Sequence, residues 1–201
     1  MSNLSDVVGK ADFLNGENYS FVPNRFCNPN SAIYLNFGHL QAPTNVYFSG
    51  DFTITGWVNV IYSQQWTSSD ILNFANGQSN FVYVRLQLSD YNYHLRASTR
   101  NGQVATTPNN LNLKTWYHFA VVQIYNLAKF YINGQLVTTD RNAFVESPHN
   151  INRTTNYIGK SNDPIHRFNL NAILSDLKIY NGTLSNEQVL DDYLKSSNNG
   201  I

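Results

Sequence analysis

Apolar and polar residues alternate with a period of two through most of residues 31–180, interrupted by short runs rich in Asn, Gly, Ser and Thr. A period of two sends successive side chains to opposite faces of a β-strand. The clearest stretch is Phe81-Val82-Tyr83-Val84-Arg85-Leu86-Gln87-Leu88. Val82, Val84, Leu86 and Leu88 share one face, which predicts a core. Phe81, Tyr83, Arg85 and Gln87 share the other, which predicts a partly wet face able to touch a ligand. The same pattern predicts strands over 32–37, 52–60, 71–74, 94–99, 116–124, 129–132, 135–138, 156–159 and 173–180. Asn133-Gly134 lies between two alternating runs, and that pair supplies the two positive φ values of a type I′ hairpin turn.

Many short strands with turn residues between them predict an all-β fold, an antiparallel β-sandwich. One helix is expected, at the C-terminus. Ser185 and Gln188 have the spacing of a capping box, and Val189, Leu190, Tyr193 and Leu194 make an apolar stripe. Residues 196–201 read as a flexible tail. With no internal repeat or linker in the pattern, residues 1–201 read as a single domain.

Composition sharpens this picture. At 201 residues the chain can bury a core without disulfides. Thirteen basic and thirteen acidic residues cancel, which argues against nucleic acid or an anionic membrane as the main partner. Charged residues make up only 13% of the chain, about half the usual share. Asn, Ser, Thr, Gln and Tyr fill the surface instead, and such a surface suits an uncharged polar ligand such as a sugar. The single cysteine, Cys27, permits no internal disulfide and reads as a buried, inert thiol. The first residues carry no basic and apolar signal-peptide pattern, and no apolar run is long enough to insert in a membrane. Sequons at Asn3, Asn18, Asn152 and Asn181 are no more numerous than chance gives.

Four segments, in order, resemble the laminin G-like (concanavalin A-like lectin/glucanase) jelly-roll family. Pro23-Asn24-Arg25-Phe26 with Ser31-Ala32-Ile33-Tyr34-Leu35 is similar to its opening. Asp51-Phe52-Thr53-Ile54-Thr55-Gly56-Trp57-Val58 resembles its "dFTis-W" strand. Trp116-Tyr117-His118-Phe119-Ala120-Val121-Val122, leading to Lys129-Phe130-Tyr131-Ile132-Asn133-Gly134, resembles its "W-h-v-a-v … l-y-v-N-G" hairpin. Tyr157-Ile158-Gly159-Lys160-Ser161-Asn162, then 174–181 and 184–188, resembles its closing pattern. The resemblance implies a jelly roll; as large apolar groups in strands Trp57 and Trp116 are expected to anchor its core, and His118, between aromatic residues in a strand, is expected to be structural. The expected place is outside the cell or on a surface, as a domain of a larger protein, with an intracellular protein and a virion-type component as the alternatives. The resemblance does not imply a ligand.

Enzymes of the resembled fold cleave glycosidic bonds with paired carboxylates, often two residues apart on one strand. This chain has only Glu17, Glu146 and Glu187, and no predicted strand carries two acids. No G-x-S-x-G, P-loop, H-E-x-x-H or C-x-x-C occurs, and the five His are dispersed. The expectation is therefore a protein without catalytic residues. The resemblance also implies one structural calcium ion, held by the residue matching Asp176 together with N-terminal oxygens, to which Asp6 weakly corresponds.

Sugar recognition needs an aromatic face and planar polar groups. Three regions offer both. They are the polar loop 62–70 with Trp66, the strand face of Tyr83, Arg85 and Gln87 continued by His94 and Arg96, and the loop of Asn162, Asp163, His166 and Arg167. The expected function is a non-catalytic, lectin-like module that binds neutral glycans, free or on a glycoprotein, in a groove or on a concave sheet face. The alternatives are a protein-binding adhesion or structural module on the same fold and, third, a glycoside hydrolase or lyase.

Overall fold

The computed structural model describes residues 12–62, 68–77, 79–89, 92–99, 105–107, 111–141, 150–163 and 168–198. Twelve strands and one helix lie among them. They are β1 (Asn15–Val22), β2 (Ala32–Ala42), β3 (Phe52–Val60), β4 (Ser68–Asn76), β5 (Ser79–Ser89), β6 (Asn92–Thr99) and β7 (Ala105–Thr106). Then come β8 (Trp116–Ile124), β9 (Leu127–Ile132), β10 (Gln135–Asp140), β11 (Thr155–Ile158), β12 (Leu170–Tyr180) and α1 (Asn186–Asn198).

Every pairing is antiparallel, in the order β10-β9-β8-β3-β12-β2-β11-β4-β5-β6-β7, with β1 along the other edge of β2. The sheet curls into two layers at β2. Its first half pairs with β12, through Ile33↔Leu174 to Gly38↔Leu170, and its second half pairs with β11, through Leu40↔Ile158 and Ala42↔Asn156. The changeover falls at Phe37-Gly38, where Phe37 has φ +52°. A Cβ on Gly38 would lie 2.2 Å from the Asn18 carbonyl oxygen, so only glycine lets β1 pass this close.

The core fills the space between the layers. Ile33, Leu35, Phe52, Ile54, Val58, Phe119, Val121, Phe130 and Leu174 come from one. Leu40, Leu72, Phe74, Val82, Val84, Leu95, Ala97 and Ile158 come from the other. Val82 and Val84 therefore stand where alternation puts them. Arg153, 1% exposed, ties loops at one end by donating to the carbonyls of Phe48 and Asn80. Burial pushes its guanidinium down to about 10.

Helix α1 covers the outer face of the first layer. The capping box forms as its spacing predicts: Ser185 N donates to Gln188 Oε1, and Gln188 N donates to Ser185 Oγ. The apolar stripe is narrower than the sequence suggests. Val189 is buried and Tyr193 packs on Trp57 as the stripe predicts, but Leu190 and Leu194 are exposed, and Asp192 and Ser196 face the sheet instead. The reason is the polar surface beneath. Asp192 accepts hydrogen bonds from His118, Lys178 and Tyr180. Burial favours a neutral Asp192, but these donors outweigh it and hold the carboxyl well below the usual carboxylate range.

Several expectations need correction. Trp57 does not anchor the core between the layers. It lies under the helix, its ring against Arg25, His118 and Tyr193, and its Nε1 donates to Ser196 Oγ at 2.9 Å. Trp116, at the start of β8, is only half-buried. His118 is 1% exposed and structural, as expected. Residues 196–198 are helix, with Ser196 buried against Trp57, rather than part of a loose tail. Cys27 is exposed and has φ +61°, because it sits in a tight turn closed by Asn24 rather than in a strand. The hairpin at Asn133-Gly134 has the predicted geometry, with φ +50° and +75°.

Candidate functional site

Among the described residues no helix covers the second layer, and its outer face is built mostly of polar side chains. Across β4, β5 and β6 the register aligns Asp70, Arg85 and Arg96 in one row and Asn73, Tyr83 and Ser98 in the next. Gln87 pairs with Ser68 and His94 in a third row. A bulge at Ile71 keeps Asp70 and Asn73 on this face although they are three residues apart.

Asp70 is fully buried between one charged partner, Arg85, and one neutral one, Asn73. Arg85 Nε and Nη2 both donate to its carboxylate, the second at 3.2 Å, and Asn73 Nδ2 donates to it at 2.6 Å. Burial alone would lower the Arg85 guanidinium, but the Asp70 charge more than offsets it and raises it. The Arg85 guanidinium also stacks on the Tyr83 ring, 4.4 Å from its centroid. Burial pushes the Tyr83 hydroxyl up.

The segment after β11 packs over this cluster. Asn162 Nδ2 donates to Asn73 O, Asn73 Oδ1 and Thr155 O at 2.8–3.1 Å. Asp163 N donates to Ser161 Oγ, and the Asp163 charge acts on Arg85. That packing corrects the expectation of a wet strand face. Tyr83 and Arg85 are 5% and 6% exposed, so they support the surface rather than form it. The reachable side chains here are His94, Arg96, Asn162 and Asp163, all half-buried. His94 is fixed by a 2.8 Å contact between Nδ1 and the Thr107 carbonyl. The structure thus brings Tyr83, Arg85, His94, Arg96, Asn162 and Asp163 onto one face. Trp66, His166 and Arg167 lie outside the described residues.

The face continues over β11 and β2 with residues that sequence reasoning passed over. Tyr157 pairs with Asn73 on one side and Gln41 on the other, and His39 pairs with Glu17 of β1. The period-two signal that would have found them was interrupted at Phe37-Gly38, and β11 has only four residues.

Asp176 shows what the described residues offer a calcium ion. It sits at a bulge in β12, φ +50°. Its Oδ2 accepts from Arg25 Nη1 at 2.7 Å and from Ser175 Oγ at 3.0 Å. Arg25 is held flat between the rings of Phe26 and Trp57 and donates to the Ser196 carbonyl. A guanidinium therefore stands where a cation would have to approach. Among the described residues no group of three or more His, Cys, Asp or Glu side chains converges. Around Asp176 the described side chains place one guanidinium and one hydroxyl, where calcium takes six to eight oxygens. Asp6 lies outside the described residues.

Two antiparallel layers with a helix on one outer face and a polar, largely covered face on the other define a jelly-roll sandwich. The family model described as the Concanavalin A-like lectin/glucanases superfamily matches residues 36–190, and the chain belongs to that superfamily. Three solved structures share the fold. The binding domain of Paraclostridial Mosquitocidal Protein 1 has a TM-score of 0.69 at 18% identity, over 98% of this chain and 50% of that one. Domain 4 of AbnA, an extracellular arabinanase from Geobacillus stearothermophilus, in complex with arabinotriose, has a TM-score of 0.65 at 21% identity, over 94% and 92%. Trypanosoma rangeli sialidase in complex with the inhibitor DANA has a TM-score of 0.69 at 18% identity, over 93% and 30%. The chain thus spans half of the mosquitocidal chain and under a third of the sialidase. No curated protein matches the sequence.

Proposed function

We propose that this chain is a non-catalytic carbohydrate-binding module that takes neutral glycans on the outer face of its β4–β5–β6 layer. One observation carries the reading. The buried Asp70–Arg85–Asn73 cluster holds the Asn162 amide through Asn73, the Thr107 carbonyl holds the His94 imidazole, and with Arg96 and Asp163 these half-buried groups put an amide, a carboxylate, a guanidinium and an imidazole on one outer face. Planar polar groups held rigid by buried partners lose little entropy when they pair with sugar hydroxyls. Asp70 is committed to Arg85 and Asn73 and has no exposure, so it is not placed to act as an acid or base on a substrate. Two of the structural relatives support the choice of ligand: one is a binding domain, and one was seen with arabinotriose. A place outside the cell, as one module of a longer chain, goes with this reading.

A protein-binding adhesion role is the second reading. It is favoured by the exposed pair Phe37 and Tyr62, whose rings meet edge to face at 5.8 Å.

The test is calorimetric titration with neutral oligosaccharides, including arabinotriose, with and without calcium, alongside a hydrolysis assay on the same panel. Wild-type protein is expected to bind at least one class and cleave none. Asn162→Ala and Arg96→Ala are expected to weaken binding about tenfold each, on the order of 1.4 kcal/mol. Binding to no glycan class, or turnover of one, overturns the proposal.

A further inference from the structure

On the same outer face, beyond β11, lies a second cluster of polar groups that includes a buried ring nitrogen with an unfilled hydrogen bond. The His39 side chain is 7% exposed, and its Nδ1 has no hydrogen-bond partner among the described residues. A buried ring nitrogen without a partner is costly. The nearest polar atom given for it is Glu17 Oε2, 3.9 Å away, on a side chain that is 75% exposed. That gap is too long for a direct hydrogen bond, and one bridging hydroxyl can span it. The Tyr157 ring stands edge-on to His39, with centroids 5.5 Å apart, and Lys160 Nζ lies 4.9 Å from the Tyr157 centroid. Tyr157 and Lys160 are half-buried.

We propose that Glu17, His39 and Lys160, beside the Tyr157 ring, form a second sugar subsite that takes a vicinal diol of a neutral sugar residue. The proposal rests on the glycan-binding reading above and extends it. One hydroxyl sits between His39 Nδ1 and Glu17, donating to the carboxylate. The adjacent hydroxyl accepts from the Lys160 ammonium, and the Tyr157 ring offers an apolar surface to the sugar's C–H face. Glu17 and Lys160 cancel in charge. Burial, followed by the nearby Lys160, lowers the His39 pKa and keeps the ring neutral at pH 7, while Glu17 opposes this. The set therefore suits an uncharged ligand better than an acidic one.

Placement supports continuity with the first site. Tyr157 is the register partner of Asn73, which holds Asn162. Two strand steps, roughly 10 Å, separate β4 from β2. A glycan of several residues lying on Asn162 and Arg96 would run across β11 onto His39 and Glu17.

The experiment compares neutral oligosaccharides of increasing length, from disaccharide to hexasaccharide, of the class that wild-type protein binds. Glu17→Gln and Lys160→Ala change exposed or half-exposed side chains and leave the core intact. Wild-type affinity should climb with chain length. Both variants should flatten the climb, losing about tenfold on the longest chain and little on the disaccharide. Asn162→Ala should lose affinity at every length. Variants that bind the longest chain as tightly as wild type overturn the subsite while leaving the general reading intact. A second readout does not depend on the first site. The His39 imidazole ¹H–¹⁵N signals should shift in wild type, and not in Glu17→Gln, when a methyl glycoside is added at high millimolar concentration. Signals that stay in place with every methyl glycoside of the panel overturn the subsite, even if no oligosaccharide binds.

Discussion

Asp70 is a carboxylate with no exposure to solvent, and its stability depends on what Arg85 and Asn73 supply. Breaking one side of a buried pair leaves the other charge stranded, a loss of about 3–5 kcal/mol. Arg85→Met should therefore lower the midpoint of urea unfolding strongly. The double change Asp70→Leu with Arg85→Met should recover much of the loss, since a matched apolar pair leaves no stranded charge. Equal midpoints for Arg85→Met and wild type would refute the pairing. The same residues mark the limit of what the sequence conveys. Alternation in 81–88 assigns Val82 and Val84 to the core and Tyr83 and Arg85 to the opposite face, and both assignments hold. Alternation does not say what lies over a face. The segment that covers this one, Ser161 to Asp163, arrives from about eighty residues away, through hydrogen bonds from Asn162 to Asn73 that no local pattern encodes.

At the scale of elements, the helix shows how local and long-range signals divide. Its start was legible, because a capping box is local chemistry: Ser185 and Gln188 satisfy each other's backbone. Its buried face was not, because Leu190 and Leu194 continue an apolar stripe while the sheet below offers His118, Lys178 and Tyr180. The helix turns Asp192 inward to meet them. Asp192→Asn should cost about 1.5–3 kcal/mol in urea unfolding at neutral pH, the range for hydrogen bonds to a charged group. The pH dependence carries the sign. The carboxyl is held below its ordinary value of 3.8, so the stabilisation is present above that value and is lost as pH falls further toward the folded-state value. The wild-type advantage over Asp192→Asn should thus be constant near neutrality and shrink as the medium is acidified below about pH 4. An advantage that does not change with acid would show that the charge is irrelevant to docking. Strand β1 was missed for a related reason: Asn18, at φ +51°, sits at a bulge that breaks its alternation after Glu17.

For the whole molecule, the two outer faces of the sandwich are built differently, and Arg25 decides how one of them is held. The first layer is closed by α1, and the junction of helix, sheet and N-terminal segment meets at a single guanidinium. Arg25 pairs with Asp176 of β12, stacks on Trp57 of β3 and donates to the Ser196 carbonyl near the end of α1. One planar cation with five donors can join three elements in fixed geometry, which a lysine cannot. If Arg25 supplies the positive charge at Asp176, the fold should not depend on a metal there. The thermal midpoint of wild-type protein should then be the same in a chelator as in millimolar calcium. Arg25→Met should lower it in both media alike, and Arg25→Lys should recover only part of the loss, because an ammonium cannot stack and fork at once. A wild-type midpoint that drops in chelator and returns with calcium would place the cation requirement elsewhere. Since the proposed glycan face lies on the other layer, Arg25→Met should still bind sugar, if the proposal holds, at temperatures where it is folded. A variant that is folded yet unable to bind would mean that the two faces are coupled through the core.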